Sequence, residues 1–175
     1  TGIETTDRTF EFGMIIYATG FDAITGSFNR IDIRGVECKS LKDKWRQALE
    51  TFLGVHVAGF PNMFMVMGPH TALGNIPRSI EYNVDWVADL IDYLRDNEFT
   101  RAEAHPEAVD DWTQFVLEKS EGNLANEIDS WMTGVNQKVA GKQKRIIARY
   151  GGTAPEYRNQ ADTVAANGYK DLALS

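Results

Sequence analysis

Apolar residues crowd into two short runs, and each run breaks into a turn of small residues. Met14-Ile15-Ile16-Tyr17 leads into Ala18-Thr19-Gly20-Phe21-Asp22, and Met63-Phe64-Met65-Val66-Met67 leads into Gly68-Pro69-His70-Thr71-Ala72-Leu73-Gly74-Asn75. Four or five apolar residues bounded by turn signals predict strands buried on both faces of a parallel sheet, at 14–18 and 63–67. In open α/β sheets ligands sit beyond the carboxyl ends of such strands. Both runs hand over there to residues small enough for a ligand to lie against backbone, so the chain reads as one wall of a cofactor site.

Other stretches carry different periods. A hairpin is predicted at the start, 3–6 pairing with 9–12 across Asp7-Arg8. Alternation of Phe28, Ile31 and Ile33 with Asn29, Arg30 and Asp32 predicts a short strand over 28–33, and 55–58 is a further short strand. Leu41, Trp45, Leu49 and Phe52 recur at helical spacing. The clearest helix is 77–97, where Ile80, Val84, Val87, Ile91 and Leu94 form one apolar face. Asn75 or Ser79 caps its start, and Pro77 suits the first turn. A second helix begins at Pro106, with Val109, Trp112, Phe115 and Val116 inward. A weaker helical segment covers 123–132, a polar loop covers 134–144, and the tail from Thr153 is loosely patterned.

Composition narrows the class. The 175 residues are 43% hydrophobic and 25% charged, enough apolar material for one domain with a core. No apolar stretch approaches the ~20 residues of a membrane span, and the first residues lack the pattern of a secretory leader. Cys38 is the single cysteine, which fits a reducing compartment and hence the cytoplasm. The net charge of -7 argues against general nucleic-acid binding, although Lys138, Lys142, Lys144, Arg145 and Arg149 form a local basic cluster. His56, His70 and His105 are spaced unlike metal ligands.

The wording of the turns is similar to a known family. Tyr17-Ala18-Thr19-Gly20-Phe21-Asp22 resembles a signature of class B flavoprotein monooxygenases, particularly the Baeyer–Villiger monooxygenases. The resemblance continues, in family order, through Trp45, Phe60-Pro61-Asn62-Met63-Phe64, Gly68-Pro69, Asn75, Ser79-Ile80-Glu81 and Trp86. It reaches Ser130-Trp131-Met132-Thr133-Gly134-Val135-Asn136 and Gly151-Gly152. It matches only the carboxyl-terminal third or so of such an enzyme. The fold it implies is α/β: the carboxyl-terminal part of an FAD-binding flavoprotein of two-dinucleotide-binding-domain architecture, ending in a mostly helical and loop extension. Residues 1–175 are then a single partial domain, with 1–100 the strand and helix portion and 101–175 the extension, including a lid at 131–145. In the family the stretch around Trp45 is an irregular connection, so helix and connection both stand there.

The resemblance also assigns roles. The parent activity it implies uses FAD and NADPH to insert one oxygen from O2 beside a ketone carbonyl, giving an ester or lactone. Ala18, Thr19 and Gly20 would pass the flavin's phosphate–ribose side. Gly68, Pro69, Asn75 and Ile76 would approach the flavin ring, and helix-terminal N–H groups suit an electron-rich ring edge. Thr71, Ala72, Leu73 and Ala148 would shape the substrate pocket. Trp131 and its loop would fold over the nicotinamide, excluding water. Departures exist: Gly13 stands where the family usually has Asp, and Val139-Ala140-Gly141-Lys142 lacks the usual Pro before Gly-Lys. His70 reads as a polar loop residue without a catalytic role; Trp45, Trp86 and Trp112 read as core.

No Gly-x-Gly-x-x-Gly phosphate loop follows either apolar run. The chain alone is therefore expected to be inactive, completed by an upstream part of the same enzyme, and without catalytic or metal-ligating residues of its own. The absent initiator Met agrees with a chain entered midway; a processed mature protein is the alternative. Two rival functions stay open: an N- or S-oxygenating flavin monooxygenase, and a non-enzymatic interaction module descended from the family.

Overall fold

In a computed structural model the described residues are 2–18, 22–72, 74–137, 139 and 141–175. The first hairpin forms where the alternation places it: β1 (Gly2–Glu4) pairs antiparallel with β2 (Thr9–Glu11), Ile3 opposite Phe10. The Thr5 N–H and hydroxyl both donate to the Arg8 carbonyl, at 3.0 and 2.8 Å, closing the turn.

Neither apolar run is a strand. Residues 14–18 are irregular, and Met14, Ile16 and Tyr17 are 77%, 81% and 82% exposed. A buried strand needs neighbours to satisfy its backbone, and no described residue pairs with this one. Residues 63–67 are also irregular, but there Met65 is buried and its N–H donates to the Val55 carbonyl at 2.9 Å. The predicted strand at 28–33 is a single 3-10 turn, Phe28–Arg30, followed by an exposed Ile31. The predicted strand at 55–58 is a tight reversal in which the Phe52 and His56 backbones pair.

Helices carry most of the core. α1 (Leu41–Gln47) settles the ambiguous stripe as a helix, with Ser40 capping the Asp43 N–H and Leu41 and Trp45 buried. Val57, Phe60 and Met65 pack against that pair in a small cluster. α2 (Ile76–Asp96) is the expected long helix: Asn75 accepts from the Arg78 N–H, and Pro77 sits in the first turn. Its inner face differs from expectation. Ser79, Asn83, Trp86, Leu90 and Leu94 are buried, whereas Ile80, Val84 and Ile91 are 40%, 47% and 45% exposed. The core of this chain selects the face carrying Trp86, because that indole reaches α4 (Ala154–Ala166) and donates to the Ala161 carbonyl at 2.9 Å.

β3 (Ala102–Ala104) leads into α3 (Pro106–Ser120), whose Val109, Trp112 and Val116 are buried as the pattern predicts. The predicted helix over 123–132 is reduced to two 3-10 turns, Leu124–Asn126 and Trp131–Thr133. The tail is more ordered than its pattern suggested. α4 buries Tyr157, Ala161 and Val164, and β4 (Leu172–Leu174) pairs antiparallel with β3, Ala102 opposite Leu174. Thr153 caps α4 through the Glu156 N–H. α2, α3, α4 and the β3–β4 pair thus enclose one core, with Trp86, Trp112, Tyr150, Tyr157 and Tyr169 inside it. The three tryptophans read as core are 4–8% exposed, which agrees with that reading: Trp45 8%, Trp86 4% and Trp112 5%.

Candidate functional site

The turn after the second apolar run is the most constrained part of the molecule. Leu53, Asn62, Met67 and His70 all hold left-handed backbone, with φ of 53°, 58°, 58° and 69°. Such conformations are costly away from glycine and persist only where surrounding contacts hold them. Here they do. The Asn83 side chain of α2 accepts from the Met67 N–H at 3.2 Å and donates to the Tyr157 hydroxyl, also at 3.2 Å. That hydroxyl donates to the Leu53 carbonyl at 2.7 Å. Gly54 is required at φ +65°, since a Cβ there would lie 2.7 Å from the Pro69 carbonyl.

His70 is not a surface loop residue, as its sequence context suggested, but 1% exposed. Its Nε2 lies 3.0 Å from the Ile147 carbonyl, which can only accept, so that nitrogen carries the proton. Nδ1 then faces the Thr51 hydroxyl at 3.2 Å, whose single proton is shared between that nitrogen and the Pro69 carbonyl at 3.1 Å. Burial lowers the His70 pKa to about 4, offset in part by the bond to Ile147, so the ring is neutral at pH 7. The ring ties residues 51, 70 and 147 together and orients no reacting group. Thr51 gave no signal in the sequence, because a hydroxyl pairing over 19 positions leaves no periodic trace.

The sequence-assigned residues divide into two sets. Gly68, Pro69, Thr71 and Ala72 are brought together and buried. The Thr71 hydroxyl donates to the Gly68 carbonyl at 2.8 Å, the Tyr150 N–H donates to the Thr71 carbonyl at 3.1 Å, and Ala72 pairs in parallel with Tyr150. Ala148 joins this group: it is buried, and its carbonyl accepts from the His70 N–H at 3.1 Å. Asn75 and Ile76 open α2 at the surface, Ile76 being 51% exposed. Ala18 is exposed, and Thr19, Gly20 and Leu73 lie outside the described residues.

Trp131 is 44% exposed at the head of a capping box in which Ser130 and Thr133 exchange hydrogen bonds with each other's backbone. The Ile146 N–H donates to the Thr133 carbonyl at 2.9 Å, so residues 146–150 run from the base of the Trp131 turn to the 68–72 turn. Lys142 completes the assembly by pairing with Asp22 and donating to Thr25 at 3.0 Å. Both partners are largely buried, with side chains 14% and 19% exposed. Residues 142–150 thus link the Trp131 turn and the 68–72 turn to Asp22 and Thr25. No group of three or more His, Cys, Asp or Glu able to hold a metal exists among the described residues.

No protein-family model matches the chain. It is 38% identical to cyclohexanone 1,2-monooxygenase of an Acinetobacter species, over 94% of this chain and 30% of that enzyme. It is 37% identical to a phenazine N-monooxygenase of Lysobacter antibioticus, over 92% of this chain and 29% of that protein. Among solved structures, cyclohexanone monooxygenase from Rhodococcus sp. Phi1 bound to NADP+ superposes with a TM-score of 0.90 at 38% identity, over 99% of this chain and 32% of that one. The chain is a homologue of the Baeyer–Villiger monooxygenases. It spans about a third of the length of these relatives and aligns with their carboxyl-terminal part, a mixed helix-and-strand region.

The Baeyer–Villiger relationship gives the exposed apolar surfaces a context. Ile76, Ile80, Val84 and Ile91 line one face of α2, and Met14, Ile16 and Tyr17 stand out from the chain. Contiguous apolar surface of this kind marks contact sites. The α2 first turn leaves one donor open: Asn75 takes the Arg78 N–H, Pro77 has no N–H, and the Ile76 N–H has no partner among the described residues. That leaves a donor at the positive end of a 21-residue helix.

Proposed function

We propose that this chain forms one wall of an FAD- and NADPH-dependent Baeyer–Villiger monooxygenase that uses O2 to convert a ketone into an ester or lactone. The observation that carries the proposal is the likeness to NADP+-bound cyclohexanone monooxygenase, at 38% identity along 99% of the chain. FAD, when bound, activates O2 after reduction by NADPH. The remaining chemistry assigned to this chain is binding, orientation and exclusion of water. The Ile76 N–H and the α2 dipole would polarise the flavin ring edge, with Gly68 and Pro69 beside it. Ala18, Thr19 and Gly20 would hold its phosphate–ribose side. Thr71, Ala72, Leu73 and Ala148 bound the ketone.

Trp131 and the lid 131–145 close over the nicotinamide, with the Lys142–Asp22 pair fixing the lid's far end. The upstream part of the enzyme covers the Met14–Tyr17 run and the outer face of α2. Residues 1–175 are a single partial domain, with 1–100 its strand and helix portion and 101–175 its helical and loop extension. The lone exposed thiol of Cys38 suits the cytoplasm, and no helix among the described residues is long and apolar enough to cross a membrane.

The test is direct. The full-length protein carrying this chain is purified, its flavin content is read by visible absorption, and cyclohexanone is supplied with NADPH and isotopically heavy O2. The reading requires bound flavin, ketone-dependent NADPH consumption and one heavy oxygen in the lactone. Absence of flavin, or NADPH oxidation that never yields ester, overturns it. The likeness to a phenazine N-monooxygenase supports a second reading, oxygen transfer to a ring nitrogen. An N-oxide from a phenazine, without ester from any ketone, would select that reading.

A further inference from the structure

We propose that the cavity between residues 22–49 and 134–146 binds a phosphate-bearing ligand. It measures about 660 Å³, within the range of small-molecule and cofactor sites and far larger than a single oxyanion. Six cations line it: Arg30, Lys42, Arg46, Lys142, Lys144 and Arg145. They are a third of the 18 Lys and Arg in a chain whose net charge is -7. Asp22 is the sole carboxylate in the lining, and Lys142 already pairs with it.

Two more of the six have partners outside the cavity: Arg46 with Asp43 at 3.2 Å and Arg145 with Asp129 at 2.6 Å. Arg30, Lys42 and Lys144 have no carboxylate within salt-bridge distance among the described residues. Three unneutralised cations facing one concavity repel each other, and a concave wall of one sign focuses its field. A ligand carrying two or more negative charges relieves that repulsion. The rest of the lining suits it, since Asn29 and Gln47 add amide donors and Gly26 and Gly141 let an anion approach backbone. The buried Lys142–Asp22 pair holds the two walls together and so fixes the spacing of the cations.

The sequence showed half of this cluster. Lys142, Lys144 and Arg145 are adjacent, but Arg30, Lys42 and Arg46 come from more than ninety positions earlier. Only the fold sets the two groups face to face. The cavity shares residues 134–145 with the proposed lid, but the two readings fail distinguishably: flavin content and ketone turnover report on one, anion binding on the other.

The test is calorimetric titration of the full-length protein with inorganic pyrophosphate at low salt. The triple variant R30Q/K42Q/K144Q is expected to bind about tenfold more weakly or worse, and K170Q, a charge change far from the cavity, to bind as the parent does. Replacing K144Q by K144R in the triple variant recovers part of the binding, which separates lost charge from lost fold. Displacement by NADP+ but not NAD+ identifies the source as a nicotinamide cofactor's phosphate monoester. Displacement by coenzyme A identifies a nucleotide handle on a substrate, and displacement by orthophosphate alone identifies the free ion. Binding that is undetectable at about 10 mM pyrophosphate, equal in parent and triple variant, or displaced only by an acidic peptide overturns the proposal.

Discussion

Two apolar runs of nearly equal length and composition meet opposite fates. Met14–Tyr17 lies open, with Ile16 81% exposed, while Met63–Met67 is anchored, with Met65 3% exposed. Hydrophobicity does not separate them. The second run has partners inside this chain: Val55 takes the Met65 N–H, Asn83 takes the Met67 N–H, and His56 meets the Phe64 ring edge-on at 5.3 Å. The first has none among the described residues. Burial is thus a property of a run and its neighbours together.

The contrast can be broken most severely through the two histidines that brace the second run. Burial lowers the His56 pKa to about 3 and the His70 pKa to about 4, from an ordinary 6.5. Above pH 6.5 both are neutral whether folded or unfolded. Below it the unfolded chain takes up protons that the folded chain refuses, so stability falls as pH falls, until the folded values are reached. At pH 5 the loss is about 2 kcal/mol per histidine, about 4 kcal/mol together. Denaturant titrations at pH 7.5 and 5 are expected to show it, and His70→Gln to remove roughly half the slope.

Met65→Ala comes next, at about 3 kcal/mol, because it empties a buried site between α1 and the Val57–Phe60 turn. Asn83→Ala is expected to cost about 2 kcal/mol by stranding the Met67 N–H and loosening Tyr157. Faster exchange of the Met67 amide would distinguish that cause from general destabilisation. Ile16→Ser is expected to change the stability of this chain by less than ~0.5 kcal/mol. In the full-length protein the same substitution is expected to lower stability by more than 1 kcal/mol. Equal, small effects in both would show that nothing covers the first run.

Much of the architecture could be read in advance where the signal was local. The hairpin at the start, the Asn75 cap of α2 and the inner face of α3 all follow from spacing within one or two turns. α2 was legible as a helix but not in its orientation, because it carries two apolar faces. The aliphatic one, Ile80–Val84–Ile91, is the stronger in pattern, yet the core takes the one bearing Trp86. α4 was missed because its buried residues, Tyr157, Ala161 and Val164, are few and separated by polar neighbours. At the site, Gly68, Thr71 and Ala148 were singled out and do come together. Of the residues that hold them, Thr51 and Asn83 were not, and His70 was read as a polar loop residue, since their bonds cross 16 to 77 positions.

The sequence by itself determined the opening hairpin, α2 and α3 and, through its turns, the kinship with Baeyer–Villiger monooxygenases. Helix periods, caps and turn residues depend on interactions within a few positions, and those are written in order along the chain. The tertiary structure alone decided which apolar surface is core and which is left open. It also decided that His70 is a neutral strut and that two distant sets of cations share one cavity. Those outcomes depend on burial and on charges brought within reach by folding, and neither quantity exists until the chain has closed on itself.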